Sequence, residues 1–322
     1  MKEYGGFLPL ELPHKKEYFS DVEDENIVRL NCGRSTFYYA VKDGGFKTVY
    51  MPYLNCINSV DPIIDAGAEV KYYYLDDDLT PKDVELNDDS EALLWVNYYG
   101  NAGAKQIEKV TKKYKNLIID NCHAFFTKIQ SDAYNCYSTR KFFGVADGAY
   151  LIKKNLKKFD LPESKSAEDT LFILKEIEVG TNAVYGENLE NEKRVAEEVA
   201  HMSPLTQRIL SSIDYKDIQE HRYRNIVRLQ ENLGDFNEFA VNMEAKTQMY
   251  YPFLYFQDSL RGRLIENKIY NPTWWRHVPE QSGYSKLETQ LSNYMIMLPI
   301  DQRYTEDDMD YISEVVRKCI DK

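Results

Sequence analysis

Short apolar segments alternate with stretches of helical character through about residue 152, and this alternation constrains the fold most strongly. Strands are predicted over residues 48–51, 70–75, 93–98 and 117–120, and helices over residues 57–66 and 105–114. Strands that alternate with helices are typical of βαβ units and of a mainly parallel sheet. The sequence therefore predicts a large α/β domain, in which ligands bind beyond the carboxyl ends of the strands.

The rest of the chain has a different organisation. Residues from about 160 to 235 are charged and helical in pattern. Further segments of strand and helix character follow over residues 251–256, 259–267 and 294–298. A final helix begins after Thr305, where three acidic residues face the positive end of the helix. We therefore predict a large domain with an N-terminal segment over residues 1–200 and a small C-terminal α+β domain over residues 201–322.

Composition excludes several classes of function. The 322 residues include 43% hydrophobic and 29% charged residues, as in ordinary globular proteins, and the net charge of −12 disfavours a nucleic-acid partner. No apolar run has transmembrane length and the N-terminus lacks the apolar stretch of a secretory signal, so we predict a cytoplasmic protein without a membrane partner. The five cysteines and five histidines show no metal-ligand spacing, so we predict reduced thiols and no metal site.

The segment NCGRSTFYYAV, residues 31–41, is the first of three that carry candidate functional residues. Gly33 and small hydroxyl residues precede an apolar helical stretch. The start of a helix offers free backbone N–H groups and a positive dipole end, as a phosphate site requires. Arg34, Ser35 and Thr36 would add donors. Taken alone, the segment is better explained as an ordinary capped helix start.

The second segment is LIIDNCHAFF, residues 117–126, in which Asp120 ends an apolar strand. A carboxylate at such a place is costly to bury without a partner. The protonated ring nitrogen of a bound cofactor would be one partner, and the start of the next helix or a loop amide would be another. His123 lies three residues further on, either against such a cofactor or in the core.

The third segment is NCYSTRKFFGVADGAYL, residues 135–151, in which Lys141 stands between small polar residues and an FFG sequence. An amine that attacks an aldehyde must lose its proton, and a partly desolvated pocket with nearby cations favours that loss. Arg140 adjoins the lysine, and Ser138 would reach a phosphate. A solvated loop lysine is the better explanation when this segment too is taken alone.

The order and spacing of these segments resemble those of the DegT-like sugar aminotransferases, a branch of the aspartate-aminotransferase fold of fold-type-I pyridoxal-phosphate (PLP) enzymes. Further segments that resemble the family are VYMPYLNCINSVDPIIDAGAEVKYYYLD, ALLWVNYYGNAGAKQIEKV, HMSPLTQRIL, HRYRNIVRLQENL and LSNYMIMLPIDQRYTEDDMDYISEVV. The resemblance implies a large, mainly parallel sheet domain and PLP as the cofactor. It also implies that Lys141 binds the cofactor as a Schiff base and that Asp120 lies under the pyridine nitrogen.

Roles for further residues follow from the same resemblance. The remaining cofactor-binding residues that we predict are Gly33, Arg34, Ser35, Ser138, His123 and Cys56. Asn97, Tyr99, Trp274 and Trp275 are predicted to contact the substrate. The implied reaction is transfer of an amino group, with glutamate as donor, to a keto-sugar nucleotide or a similar carbonyl compound. The implied assembly is a homodimer with two-fold symmetry and sites at the interface.

The chain departs from the family pattern at several positions. Cys56 stands where an aromatic residue usually stacks on the cofactor, and His123 replaces a usual glutamine. Cys136 replaces a serine, and Trp274 fills a position that often holds histidine. Residues 199–202 stand where the family has an asparagine that reaches across the dimer. Two alternatives therefore stay open: a PLP-fold enzyme of another reaction type, such as a dehydratase, decarboxylase or aldolase, or a catalytically degenerate binding protein of the same fold.

Overall fold

A computed structural model of the chain describes residues 4–8, 10–246 and 248–320. Within these residues the large sheet has seven strands: β1 (Ile27–Leu30), β2 (Thr48–Pro52), β3 (Glu69–Tyr73), β4 (Glu91–Val96), β5 (Leu117–Asp120), β6 (Tyr134–Ser138) and β7 (Ala149–Ile152). Their spatial order is β1-β7-β6-β5-β4-β2-β3. The pairs from β3 to β6 are parallel, and β7 runs antiparallel to both β6 and β1. The predicted, mainly parallel sheet is therefore present.

The helices of this part of the chain are α1 (Gly33–Gly44), α2 (Asp61–Asp65) and α3 (Ala104–Lys113). Only a 3-10 turn at Ile57–Ser59 and the short α2 occupy the region predicted as one helix over residues 57–66, so that prediction was wrong. Pro62 gives the reason, because proline lacks an N–H group and is accommodated in the first turn of a helix rather than in its interior.

The charged region forms α4 (Leu171–Val179), α5 (Tyr185–Arg194), α6 (Pro204–Leu210) and α7 (Tyr215–Leu233). Beyond it lie β8 (Tyr251–Leu254), α8 (Leu260–Glu266), α9 (Val278–Gln281), α10 (Lys286–Tyr294), β9 (Met295–Leu298) and α11 (Glu306–Ile320). Strands β8 and β9 pair antiparallel and share a separate apolar core with α7, α8 and α11. This core is that of the small C-terminal unit, and its predicted boundary near residue 200 stays a prediction. Among the described residues, no helix combines the length and apolarity that a membrane crossing needs.

Main-chain hydrogen bonds tie together the loops at the carboxyl ends of the parallel strands. The N–H of Asn97 donates to the carbonyl of Asp120 at 3.0 Å, and the N–H of Asn121 donates to the carbonyl of Cys136 at 2.8 Å. Strand β4 ends at Val96, whereas the sequence predicts a strand to residue 98. The difference arises because the chain enters a 3-10 turn at Tyr98–Gly100. These bonds gather the segments that hold the candidate residues at one edge of the sheet.

Candidate functional site

The start of α1 is where the three sequence segments meet. An ideal Cβ on Gly33 would lie 3.1 Å from Sγ of Cys122 and 3.8 Å from Cβ of Ser138, so the helix start abuts both the Asp120 and the Lys141 segments. In the described part of the chain, no side chain caps α1, and its first turn has no acidic residue. The N–H of Ser35 donates to the carbonyl of Cys32 at 3.1 Å, and the other N–H groups of the first turn at this junction are ones that helix geometry leaves without an intrahelical partner.

Asp120 lies half-buried at the end of β5. One carboxylate oxygen, Oδ1, accepts a hydrogen bond from the N–H of Cys122 at 2.9 Å, which fixes the carboxylate at the edge of the sheet. Burial, together with the nearby Asp120 carboxylate, raises the pKa of the Cys122 thiol well above its usual value. The thiol is therefore neutral, and Asp120 provides the negative charge of this loop.

Lys141 lies in the loop between β6 and β7 with an exposed side chain. The backbone around it is nonetheless held in place, because the N–H groups of Phe142 and Phe143 donate to the carbonyl of Thr139 at 3.0 and 2.9 Å. The hydroxyl of Thr139 donates in turn to the carbonyl of Gly148 at 2.8 Å. The result is an accessible amine on an ordered turn.

A buried carboxylate ties the far end of this loop to α6. Asp147 accepts hydrogen bonds from the N–H and the hydroxyl of Ser203, each at 2.8 Å, and from the hydroxyl of Thr206. The next residue, Gly148, has φ +120°, where a side chain would collide with the Thr139 hydroxyl. The N–H of Gly148 donates to the carbonyl of Asn31 at 2.5 Å, so the lysine loop is also joined directly to the segment before α1.

Two arginines lie near the start of α1. Arg34 donates from Nη2 to the carbonyl of Glu192 at 2.6 Å. Burial lowers the pKa of Arg140, and the nearby charge of Arg34 contributes to the lowering while Glu192 opposes it. Nε of Arg140 is buried and finds no hydrogen-bond partner among the described residues. An anion at the helix start would satisfy this donor. From the sequence alone, Arg140 is identified only as a cation beside Lys141.

The two predicted phosphate-binding serines differ in their surroundings. Ser35 is buried, and its hydroxyl donates to Oδ1 of Asn31 at 2.6 Å. Its proton is therefore used within the protein. Ser138 is buried at the end of β6, with its Cβ next to the helix start at Gly33. Of the two, Ser138 is the one whose side chain lies at the junction of the three segments.

Four of the predicted residues form an aromatic stack. The His123 ring lies 4.3 Å from the Trp274 ring at an interplanar angle of 15°, and 5.9 Å from Trp275 at 17°. Trp274 is in turn nearly parallel to Tyr99, with centroids 6.2 Å apart. Burial, with a contribution from the charge of Lys141, holds the pKa of His123 well below its usual value. His123 is therefore a neutral, flat ring close to Lys141.

The loop that carries the two tryptophans has an unusual backbone. Trp275 has φ +58°, a left-handed conformation that is strained for a bulky residue. Its carbonyl accepts hydrogen bonds from the hydroxyl of Ser292 and the N–H of Val278, both at 2.9 Å. Arg261 donates to the carbonyl of Pro272 at 2.6 Å. These bonds hold the two indoles against His123.

A row of buried asparagines lies behind the site. Nδ2 of Asn97 donates to Oδ1 of Asn121 at 3.1 Å, and Nδ2 of Asn121 donates to Oδ1 of Asn135 at 3.4 Å. The Asn97 oxygen accepts from the N–H of Ala102. The predicted substrate residue Asn97 is thus fully buried, with both ends of its amide bonded within the protein. Sequence reasoning missed Asn121 and Asn135, although each follows or lies in a buried strand.

Cys56 lies half-buried in the loop after β2, at the same edge of the sheet as Asp120. The hydroxyl of Tyr98 donates to the carbonyl of Leu54 at 2.6 Å, which ties this loop to the turn that contains Tyr99. The predicted residues from β2 and β4 are thereby brought side by side. A stacking role for Cys56 stays a prediction.

Comparison with solved structures identifies proteins of similar fold, all at low sequence identity. DesV of S. venezuelae, solved in complex with a ketimine intermediate, has a TM-score of 0.62 and 15% identity over 92% of this chain and 85% of that chain. The aminotransferase TlmJ from Streptoalloteichus hindustanus has a TM-score of 0.63 and 16% identity over 93% and 87%. DesI, solved in the presence of its TDP-sugar product, has a TM-score of 0.62 and 14% identity over 91% and 80%.

No protein-family model matches the chain, and no curated protein matches it in sequence. The structural similarity extends over more than nine-tenths of the chain, so it includes both the large sheet and the small C-terminal unit. The chain therefore has the fold that DesV, TlmJ and DesI share. The fold-type-I architecture expected from the sequence is confirmed.

Proposed function

We propose that this chain is a PLP-dependent aminotransferase. The observation that carries the proposal is the meeting of the Lys141 segment, the Asp120 segment and the uncapped start of α1 at one edge of the sheet. Ligands of open α/β sheets bind at such an edge. The aminotransferases of similar fold support the same assignment.

The chemistry of the donors near α1 fits the phosphate of PLP. The helix start supplies N–H groups, that of Ser35 excepted, and a positive dipole end, and Arg140 supplies a buried N–H group without a partner among the described residues. Arg34 adds a second guanidinium close by, and Ser138 adds a hydroxyl. Because Gly33 has no Cβ, an anion can approach the backbone there closely. These residues would hold the phosphate.

The groups at the end of β5 fit the ring of PLP. Asp120 would accept a hydrogen bond from the protonated pyridine nitrogen, and the neutral ring of His123 would pack against the cofactor without adding a positive charge. When bound, PLP supplies an electron sink for the negative charge that develops on a substrate carbon. The carboxylate of Asp120 maintains that capacity by keeping the nitrogen protonated.

Lys141 is the proposed catalytic residue. Its exposed amine would bind the cofactor covalently, and the ordered turn from Thr139 to Phe143 would aim it. Once an amino donor has displaced it, Nζ of Lys141 would take the proton from the donor carbon as general base and deliver it to the cofactor as general acid. An amine on a fixed backbone suits this role, because proton transfer depends on a short and well-aligned approach.

The aromatic stack is the proposed wall of the substrate pocket. Trp274 and Trp275 lie against His123, beside the proposed cofactor ring, and present indole faces to an incoming ligand. The proposed acceptor is a keto-sugar nucleotide or a related carbonyl compound, whose apolar ring face would pack on an indole. DesI, which shares the fold, was solved with a TDP-sugar product. Glutamate is the donor that the family resemblance implies.

A cytoplasmic homodimer is the proposed assembly, and α4 is the surface that a second copy would cover. Each residue of α4 that the structure describes is at least partly exposed, including Leu174 at 53% and Ile177 at 83%. Exposed apolar surface of this kind marks a contact site. An ideal Cβ on Gly144 would lie 3.5 Å from Ile173, so α4 borders the lysine loop, and a partner there would adjoin the site.

Absorption spectroscopy of purified protein incubated with PLP tests the cofactor assignment. We expect a visible band from cofactor bound to the wild type, and borohydride followed by peptide mapping should place the cofactor on Lys141. The Lys141→Ala variant should lack the band. Lys154→Ala, which removes an exposed loop lysine after β7, should retain it. Absence of a band in the wild type, or its persistence in Lys141→Ala, would refute the assignment.

Addition of glutamate to the PLP-loaded protein tests the reaction. Transamination converts the cofactor to its amine form, which is detected as loss of the visible band with formation of 2-oxoglutarate. Subsequent addition of keto-sugar nucleotides should restore the band and yield an aminated product by mass spectrometry. A protein that binds PLP but responds to no amino donor would instead favour a different PLP reaction or a binding role.

A further inference from the structure

Arg222 is a buried cation that the proposed reaction does not use. It lies on α7 with 4% of its surface exposed. In the part of the chain that the structure describes, the hydrogen-bond acceptors of its guanidinium are amide and carbonyl oxygens rather than carboxylates, and Nε has no hydrogen-bond partner. Burial lowers the pKa of Arg222 to about 10, with Asp301 opposing the lowering from a longer distance. A buried guanidinium without a close counter-ion is costly, so its contacts need an explanation.

Those contacts lead to the residue after Lys141. Nη1 of Arg222 donates to Oε1 of Gln302 at 3.3 Å, and Nε2 of Gln302 donates to the carbonyl of Phe142 at 3.0 Å. Nη2 of Arg222 donates to the carbonyls of Met249 and Gln248. The guanidinium is thereby fixed on the C-terminal unit and linked through one amide to the main chain of the lysine loop.

A second contact reaches the same residue through its side chain. The guanidinium carbon of Arg222 lies 4.8 Å from the centroid of the Phe142 ring, within the range of a cation–π interaction. Such an interaction is stronger when the cation is desolvated, as it is here. Phe142 is therefore held at its ring by Arg222 and at its carbonyl by Gln302. Lys141 lies within the turn that starts at Thr139 and directly precedes this doubly held residue.

We propose that Arg222 is a positioning residue that acts through Gln302 and Phe142 to fix the backbone of Lys141. The proposal rests on the proposed function of Lys141 and adds a role for the C-terminal unit, which would hold the reacting amine in place. Arginine suits the role better than lysine, since its planar fork spans several acceptors while its face packs on a ring. Displacing a reacting group by about 1 Å costs roughly 100-fold in rate.

Variants of the two linking residues test the proposal. Arg222→Met removes the guanidinium. Gln302→Leu removes the hydrogen bond to the Phe142 carbonyl and leaves the net charge of the protein unchanged. Arg224→Met is the matched control, because it removes an exposed arginine from the same helix. Arg222→Lys keeps the charge but loses the fork.

Amide hydrogen exchange of the cofactor-free protein is the first readout. We expect the amides of residues 139–146 to exchange faster in Arg222→Met and in Gln302→Leu than in the wild type. The exchange rates of β8, β9 and α11 should be unchanged in both variants. Arg224→Met should exchange like the wild type throughout. In the PLP-loaded protein we expect kcat for transamination to fall roughly 10- to 100-fold with KM for the donor unchanged. Arg222→Lys should restore only part of the loss.

The outcomes separate this inference from the proposed function. Wild-type exchange rates in residues 139–146 of both linking variants would overturn the role proposed for Arg222. Faster exchange throughout the C-terminal unit would also overturn that role, because it would indicate general loosening of this unit. If Arg222→Met fails to fold, Gln302→Leu decides the question. If the wild type binds no PLP, the proposed function fails, while local exchange in the variants still reports whether Arg222 orders the loop.

Discussion

Replacing His123 tests whether its imidazole stays neutral in the folded protein. Burial, with a contribution from the charge of Lys141, holds the pKa of His123 well below the value near 6.5 that a histidine has in an unfolded chain. At pH values below about 6.5 the unfolded state therefore binds a proton that the folded state does not bind. The folded protein loses stability as the pH falls through this range.

The magnitude follows from proton linkage. If His123 remains uncharged in the folded state, the free energy of unfolding of the wild type falls by about 1.4 kcal/mol between about pH 7.5 and pH 5.5 because of this group. His123→Gln and His123→Phe both abolish the titration. Loss of the stack on Trp274 in His123→Gln, and the larger ring in a packed site in His123→Phe, each add a destabilisation that does not depend on pH.

Urea unfolding at a series of pH values, followed by tryptophan fluorescence and circular dichroism, measures the effect. The two variants should be less stable than the wild type at pH 7.5, and the difference should shrink by about 1.4 kcal/mol at pH 5.5. The phenylalanine variant, which keeps a flat ring against Trp274, should show the same change with pH as the glutamine variant. A stability difference that is equal at every pH would refute the neutral, buried imidazole.

Three further predictions follow from the local geometry. Gly33→Ala adds a Cβ 3.1 Å from the Cys122 sulfur at the helix start, so the affinity for PLP should fall at least about tenfold in a fluorescence titration. The control Gly186→Ala, whose added Cβ would meet no atom within 4 Å, should bind PLP with wild-type affinity. Gly148→Ala combines φ +120° with a collision at Thr139 and should lower the free energy of unfolding by roughly 2–4 kcal/mol; an unchanged urea midpoint would contradict this. Ile177→Glu should shift a dimer to monomer in analytical ultracentrifugation, and a dimer of wild-type strength would exclude α4 as the interface.

Local signals in the sequence account for the parts of the structure that were predicted well. The end of an apolar run marks the carboxyl end of β5 at Asp120, and a glycine before an apolar helical stretch marks the start of α1. Both features depend on residues that are neighbours along the chain. The proposed roles of these residues, and of Lys141, stay predictions, since a fold alone does not establish chemistry.

Long-range contacts account for most of what sequence reasoning missed. Arg140 acquires its surroundings from Arg34 and Glu192, which are distant in sequence, and nothing beside it in the chain indicates that pairing. The row of amides from Asn97 to Asn135 depends on the lateral order of three strands. Strand β1 escaped prediction for a similar reason, because its four residues are defined by antiparallel pairing with β7 more than a hundred residues away.

Three of the hydrogen bonds that join the segments of the site run between main-chain atoms. Asn97 bonds to Asp120, Asn121 to Cys136 and Gly148 to Asn31, each from N–H to carbonyl. Any residue except proline can donate such a bond. These three links therefore do not depend on which side chain stands at the donor, provided that it is not proline. This explains how a chain with 14–16% identity to the solved aminotransferases keeps their fold over more than nine-tenths of its length. It also means that new specificities can be introduced at the surface of this scaffold without rebuilding it.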